Sequence, residues 1–151
     1  MDIKIIFLDV DGVLNYNGYN SELLEIKCVN NLKKIIDITH CKIIISSTYR
    51  LSDISFNLLF DELKKYSIMM DKLTISEYLK TPDLEYMSRC DEILYTVNQI
   101  KNDKRYNLLS WIVLDDGELL NKELIPYFVK TNYNTGISEE NVLSAIFLLN
   151  S

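Results

Sequence analysis

Apolar and polar positions along the chain form alternating blocks that predict strands and helices in turn. The first apolar run, Ile3 to Leu8, is followed by apolar residues at helical spacing, and we expect that helix to begin with Ser21 as its N-cap. A second apolar run leads to Ser46, and helical spacing returns after a cap at Ser52. Residues 67–70, Ser-Ile-Met-Met, are predicted as a short third strand.

The second half of the chain repeats this alternation. Ser88 is expected to cap a helix, residues 110–116 to form a fourth strand, residues 127–131 a fifth, and Ser138 to cap the last helix. Strands that are apolar throughout and separated by helices are typical of a parallel sheet covered on both faces. The pattern therefore predicts a three-layer α/β/α, Rossmann-like fold with a mainly parallel five-stranded sheet, in one domain over residues 1–151.

Polar side chains follow three of the predicted strands at the point where each strand ends. They are Asp9 and Asp11 after the first, Ser46 and Ser47 after the second, and Asp115 and Asp116 after the fourth. The carboxyl ends of parallel strands lie at one edge of a sheet, so neighbouring strands would bring these groups into one small volume. Carboxylates at that density cannot all stay ionised without a cation, and hard oxygen ligands favour Mg²⁺. A phosphate at that metal would also meet two hydroxyls and several backbone N–H groups.

The first of these motifs, Asp-Val-Asp-Gly, suits covalent phosphate chemistry. The carboxylate of Asp9 is placed to attack phosphorus and form an aspartyl-phosphate. Asp11 is placed to protonate the leaving oxygen and later to activate water. Gly12 lets the chain turn sharply where a side chain would crowd the substrate.

Structural explanations compete with this interpretation. Asp-x-Asp-Gly also opens an EF-hand calcium loop, but that loop needs Asp or Asn at its fifth position and Glu at its twelfth, where this chain has Val13 and Asn20. Asp-Asp-Gly at 115–117 and Ser-Ser-Thr at 46–48, taken singly, are more often a polar turn and a loop. Their joint occurrence at three strand ends is what favours a catalytic site.

Composition narrows the class of protein. With 151 residues, 48% hydrophobic and 25% charged, the chain is ordinary for a globular protein, and its net charge of −6 argues against a broad surface for duplex DNA. Since it shows neither a signal-peptide pattern nor an apolar stretch of membrane-spanning length, we expect a cytoplasmic protein without membrane contact. Three separated cysteines indicate neither a zinc site nor a disulfide framework, and His40, the only histidine, is expected to be a loop residue.

The motifs resemble those of the haloacid dehalogenase (HAD) superfamily of Mg²⁺-dependent phosphotransferases. "FLDVDGVL" is similar to the first motif, "IIISS" to the second and "IVLDD" to the fourth, and the resemblance covers essentially the whole chain. It implies Asp9 as nucleophile and Asp11 as acid/base. It implies Mg²⁺ held by the Asp9 side chain, the Asp11 backbone carbonyl and Asp115, with Asp116 orienting the site or binding the metal through water. It also implies Ser46 as the phosphate-binding residue, with Ser47 and Gly12 beside it.

The third motif of the superfamily is usually a lysine that neutralises charge between nucleophile and phosphate. Arg89 is the best candidate, because it lies between the second and fourth motifs and opens a helix, and because Arg grips phosphate with two hydrogen bonds. The alternative interpretation is a surface arginine paired with an acid, with Lys80 or Lys72 taking the role. Arg50, a few residues after the serines, is predicted to point at the substrate.

The gaps between the motifs leave no room for a substantial cap domain, because residues 13–41 and 90–110 hold one predicted helix each. An open site takes its specificity from surface contacts or from a partner, so a partner chain is a candidate for a lid. In detail, "SSTYR", "TPDLEYMSRCDEI" and "TGIS" resemble the small HAD domains linked to RNA repair and, more loosely, the phosphatase half of polynucleotide kinase-phosphatases. That resemblance implies a 3′-phosphate end of RNA or DNA as substrate. Two alternatives stay open: a phosphatase of nucleotides or other small phosphomonoesters, and an idle HAD fold that only binds.

Overall fold

The computed structural model describes residues 1–16, 23–119 and 121–151. Their strands, in chain order, are β1 (Asp2–Leu8), β2 (Lys42–Ile45), β3 (Asn107–Asp115) and β4 (Phe128–Lys130). Their α-helices are α1 (Ile26–Thr39), α2 (Asp53–Lys65), α3 (Met70–Leu73), α4 (Arg89–Lys101) and α5 (Glu139–Leu149). Two 3₁₀ helices, Thr48–Leu51 and Lys122–Tyr127, also belong to the described residues.

The strands form one sheet in which every neighbouring pair is parallel. Their order is β2-β1-β3-β4, so β1 lies between the other two strands that lead to polar motifs. In the register of the sheet, Leu8 lies beside Ile45 on one side and beside Leu114 on the other. The residues that follow these three therefore emerge side by side at the carboxyl edge.

Helices cover both faces of the sheet because both faces are apolar. Side chains alternate along a strand, so Ile6 and Leu8 pack on the side of α1, α2 and α5, whereas Ile5 and Phe7 pack on the side of α4. All four of these side chains are fully buried. The predicted parallel sheet and the three-layer α/β/α arrangement are confirmed.

The predicted number of strands is wrong by one within the described residues. Residues 67–70 do not form a strand, since Ser67 has a left-handed backbone (φ 63°) and Met70 begins α3. Ile68 and Met70 are apolar because they are buried in the same core as α1 and α2, and so short an apolar run does not by itself distinguish strand from helix. Among the residues that the structure describes, the sheet continues beyond β2 only as a single parallel bridge between Ile45 and Lys80.

The helix caps mostly follow the predictions. Ser52, Ser88 and Ser138 each accept a hydrogen bond from a backbone N–H in the first turn of α2, α4 and α5. For α1, the predicted cap Ser21 lies outside the described residues, and the described helix is capped by Glu25 instead, whose carboxylate accepts from two backbone N–H groups. None of the described helices is both long enough and apolar enough to cross a membrane.

Candidate active site

Ser46, Asp9 and Asp115 form a row across three adjacent strands. The backbone ladder continues one residue past the pairing of Leu8, because Ser46 N donates to the Leu8 carbonyl (3.0 Å) and Asp9 N donates to the Leu114 carbonyl (3.0 Å). Alternation places the row on the face of the sheet that α4 covers. All three residues are buried, so the sheet brings polar groups together where water has little access.

A cluster of three aspartates lies at this edge, and the guanidinium of Arg89 contacts two of them. Asp9, Asp115 and Asp116 each offer a carboxylate oxygen, and these oxygens lie within 4.8 Å of one another. Nη1 of Arg89 lies 2.8 Å from Oδ2 of Asp115 and 3.3 Å from Oδ2 of Asp9. The second oxygen of Asp115 accepts the N–H of Gly117 at 2.7 Å. Helix α4 thus places its first residue between two of the carboxylates, where the sequence predicted a third-motif cation.

Two carboxylates of the cluster, those of Asp9 and Asp116, resist ionisation because their pKa values are raised. Burial and, next, the negative charge of Asp115 raise the pKa of Asp9 from 3.8 to about 8, although Arg89 opposes the rise. Burial also raises the pKa of Asp116. One guanidinium therefore does not compensate three carboxylates, and a hard divalent cation is the ligand that this set of oxygens fits.

Asp11 is exposed and lines the same cavity as Asp9. Asn15 holds it, since Nδ2 of Asn15 donates to Oδ1 of Asp11 (2.9 Å) and to the Leu23 carbonyl (2.9 Å), and its Oδ1 accepts the N–H of Gly12 (2.9 Å). Sequence reasoning missed Asn15, although an asparagine four residues after Asp11 in a turn was a usable signal.

Gly12 has a left-handed backbone, with φ at 79°. A Cβ at this position would overlap the carboxylate of Asp116. The hydroxyl of Thr131 fixes the turn by donating to the Gly12 carbonyl (2.7 Å), while the N–H of Thr131 donates to the Asp115 carbonyl (3.0 Å). A side chain at this position would therefore crowd a carboxylate of this chain, and the predicted crowding of the substrate stays a prediction.

The two serines of the second motif have different environments. The hydroxyl of Ser46 is buried and has no hydrogen-bond partner in the described part of the chain. The hydroxyl of Ser47 caps the following 3₁₀ helix by accepting from Tyr49 N at 3.2 Å. Thr48, which sequence reasoning did not single out, lines the cavity with Asp9 and Asp11.

Arg50 does not occupy the position predicted for it. Its side chain is buried, pairs with Glu92 at 2.9 Å, and donates to the carbonyls of Ser46, Ser47 and Thr81. A guanidinium committed to four such contacts cannot reach a substrate, so the prediction that Arg50 faces the substrate is corrected. Of the two lysines considered for the third motif, Lys80 donates to the Arg50 carbonyl, and neither Lys80 nor Lys72 lines the cavity.

The cavity above the cluster has a volume of about 400 Å³. Its apolar part consists of Cys90, Ile93, Val113 and Phe128, and its polar part includes Asp9, Asp11, Thr48, Arg89, Asp115 and Asp116. All three cysteines are buried and free. His40 is the exposed C-cap of α1 and takes no part in the site.

Comparison with known proteins agrees with the motifs. A family model described as "HAD domain in Swiss Army Knife RNA repair proteins" matches residues 5–142. No curated protein and no solved structure matches the chain. The matched segment spans nearly the whole chain and contains the row Asp9, Ser46 and Asp115 together with Arg89. The chain therefore belongs to the family of HAD domains in Swiss Army Knife RNA repair proteins.

Proposed function

We propose that the protein is a Mg²⁺-dependent phosphomonoester hydrolase that works through an aspartyl-phosphate on Asp9 and acts on phosphorylated RNA ends, the 3′-phosphate first among them. Family membership supports a HAD-type phosphatase in general. The observation that carries the proposal is the row of Ser46, Asp9 and Asp115 at the carboxyl edge, with Arg89 within 3.3 Å of Asp9 and Asp115.

The side chains divide the reaction into two displacements. A carboxylate oxygen of Asp9 attacks phosphorus, the bond from phosphorus to the leaving oxygen breaks, and Asp11 supplies that oxygen with a proton. Asp11, now a carboxylate, then takes a proton from water, whose oxygen attacks phosphorus and releases Asp9 and inorganic phosphate. Asn15 orients Asp11 for both transfers through its 2.9 Å hydrogen bond. Arg89 stabilises the negative charge on the phosphoryl oxygens.

The carboxylates of Asp9, Asp115 and Asp116 are the residues that would hold Mg²⁺. When bound, the cation supplies positive charge that draws electron density from the phosphoryl group and offsets the repulsion among the three carboxylates. Asp11 lies outside this set of side chains, and the ligand role predicted for its backbone carbonyl stays a prediction.

The substrate class rests on the family and on the openness of the site. Within the described residues, only α1 lies between β1 and β2, and only a short turn lies between α4 and β3, so neither interval contains a cap. A site without a lid admits the end of a polymer as readily as a small molecule. The net charge of −6 opposes a broad nucleic-acid surface, but one strand end needs only a narrow contact.

Phosphate release from end-labelled oligonucleotides tests the proposal. We expect turnover of 3′-phosphorylated RNA that requires Mg²⁺, is lost in EDTA and is abolished in Asp9→Asn. Arg89→Ala should retain about one part in 10² to 10³ of the wild-type kcat, as expected for one lost charge-stabilising donor. Asp37→Asn, the same chemical change at an exposed position of α1, is the control and should behave like the wild type. Unchanged turnover in Asp9→Asn or in EDTA would contradict the mechanism.

A phosphatase of small phosphomonoesters is the second candidate, and the cavity favours it. A volume of about 400 Å³ is within the range of small-molecule sites. Free 3′- and 5′-nucleotides assayed beside end-phosphorylated oligonucleotides separate the two, because a nucleotide phosphatase should show a kcat/KM at least as high on the free nucleotide.

A further inference from the structure

The buried ion pair of Arg50 and Glu92 adjoins the serines of the site but takes no part in the chemistry proposed above. Only 6% of the Arg50 side chain and 5% of the Glu92 side chain are exposed, and Nη2 of Arg50 lies 2.9 Å from Oε1 of Glu92. The attraction within a buried pair often does little more than offset the desolvation of its two charges. The other contacts of Arg50 give the pair a more specific role.

Arg50 binds three backbone carbonyls. Its Nη1 donates to the carbonyls of Ser46 (3.2 Å) and Ser47 (3.0 Å), and its Nε donates to that of Thr81 (3.0 Å). In a trans peptide, the carbonyl of one residue and the N–H of the next point in opposite directions. Binding these two serine carbonyls therefore turns the N–H groups of Ser47 and Thr48 away from Arg50.

Those two N–H groups are available to a ligand. Within the described part of the chain, neither the N–H of Ser47 nor that of Thr48 has a hydrogen-bond partner, whereas the N–H of Ser46 donates to Leu8. Thr48 lines the cavity that contains Asp9. Unpartnered backbone N–H groups in a turn bind anions, and the buried, unpartnered hydroxyl of Ser46 belongs to the same turn.

Glu92 connects this turn to the helix that carries Arg89. Its Oε1 accepts from Arg50 and its Oε2 accepts from Leu84 N at 2.7 Å. Helix α4 begins at Arg89, three residues earlier, so the first turn of α4 directs Arg89 at the acidic cluster and Glu92 at Arg50. The ion pair thereby fixes the amides of Ser47 and Thr48 relative to the guanidinium of Arg89.

We infer that Arg50, held by Glu92, is a positioning residue that orients the amides of Ser47 and Thr48 to bind the phosphate oxygens of the substrate. The inference rests on the proposed function, because it takes the bound anion to be the substrate phosphate. It gives Arg50 no contact with the substrate, and it explains why an arginine so close to the serines is turned inward.

Titration of the isotope-labelled full chain with inorganic phosphate, in the presence of Mg²⁺, tests the inference by NMR. In the wild type, the amide signals of Ser47 and Thr48 should shift on binding. Arg50→Lys keeps the charge opposite Glu92 but lacks the planar fork that reaches three carbonyls. We expect it to raise the Kd of phosphate at least tenfold and to lower kcat/KM by a similar factor.

Leu149→Ala is the matched control. Leu149 is buried, and its carbonyl accepts a hydrogen bond from Ser110 near the start of β3, far along that strand from the catalytic edge. We expect this variant to lose thermal stability while its Kd for phosphate stays as in the wild type. If Arg50→Lys does not fold, Glu92→Gln takes its place, because glutamine keeps the shape of the side chain and one acceptor oxygen. We expect the same increase in the Kd of phosphate.

The outcomes separate this inference from the proposed function. The inference would be overturned, even in an active phosphatase, if Arg50→Lys bound phosphate with wild-type affinity. It would also be overturned if the amide signals of Ser47 and Thr48 in the wild type did not shift when phosphate is added. Phosphate-dependent shifts at both amides, weakened by Arg50→Lys and not by Leu149→Ala, support it. They would do so even for a protein that hydrolyses no phosphomonoester, a result that defeats the proposed function alone.

Discussion

Arg50 and Arg89 lie at the same edge of the sheet and both contact carboxylates, yet their surroundings differ. Arg50 contacts one carboxylate, that of Glu92, and three carbonyls, and only 6% of its side chain is exposed. Arg89 contacts two carboxylates, those of Asp9 and Asp115, and 32% of its side chain is exposed. The charges balance around Arg50, whereas around Arg89 one cation faces a cluster of three carboxylates.

The difference teaches how to distinguish a structural ion pair from a reactive one. A buried charge whose hydrogen bonds are all made holds the backbone in place, because any movement would leave it unpaired. A cluster with excess charge of one sign is held in place by the fold and is stabilised by what it binds. Burial first, and the negative charge of Asp115 next, raise the pKa of Asp9 to about 8, although Arg89 opposes the rise.

Replacing each arginine by alanine should give the largest difference between the two regions, measured as the loss in the free energy of unfolding. Arg50→Ala leaves Glu92 buried without its cation, and we expect it to cost roughly 3–5 kcal/mol of the free energy of unfolding. Arg89→Ala should cost less than half as much, because the pKa of Asp9 is already raised to about 8 and its carboxyl can stay protonated. Urea unfolding curves of the two variants measure the difference, and equal losses would contradict the distinction.

The fold could be predicted where burial dictates the type of residue. β1 and the second half of β3 are apolar because helices cover both faces there. Serines mark the starts of α2, α4 and α5 because their side chains satisfy backbone N–H groups. Residues 67–70 misled because an apolar run this short suits a strand and a buried turn equally well. What decides between them is the surrounding core, which the local pattern does not contain.

The site could be predicted where its polar side chains directly follow the ends of strands. Parallel register and side-chain alternation are enough to bring Asp9, Ser46 and Asp115 together. The orientation of Arg50 could not be predicted, because it depends on Glu92, which lies 42 residues away along the chain. Thr48 was missed for a related reason, since only the folded turn shows which residue after the serines lines the cavity.

Asp9→Asn should stabilise the protein in the absence of a divalent cation. The pKa of Asp9 is raised from 3.8 to about 8, first by burial and next by the charge of Asp115, so the folded state resists ionisation that the unfolded chain accepts. The protein is therefore most stable with respect to Asp9 below pH 3.8, where this side chain is protonated in both the folded and the unfolded state. This contribution to stability is lost as the pH rises through the folded-state pKa of about 8. Asparagine cannot ionise. We therefore expect Asp9→Asn to raise the free energy of unfolding by roughly 0.5–2 kcal/mol at about pH 9 and to leave it unchanged at about pH 4.

Thermal unfolding in EDTA at the two pH values measures this gain. Asp37→Asn, at an exposed site, should show no gain at either pH. A gain for Asp9→Asn that is the same in acid and in alkali would show that Asp9 is not strained by its charge, and the contrast between the two arginine regions would lose its electrostatic basis.

A third arginine tests whether burial or contact distance makes the difference. Arg105 lies 2.6 Å from Asp103 and 2.7 Å from Glu77, distances as short as those of Arg50, but 55% of its side chain is exposed. Its hydrogen bonds lower the pKa of Asp103, yet water and salt compete for the exposed guanidinium of Arg105. Arg105→Ala should therefore leave the midpoint of urea unfolding where it is in the wild type, within experimental error. A loss as large as that of Arg50→Ala would mean that short contacts suffice without burial, and the inward turn of Arg50 would then need another explanation.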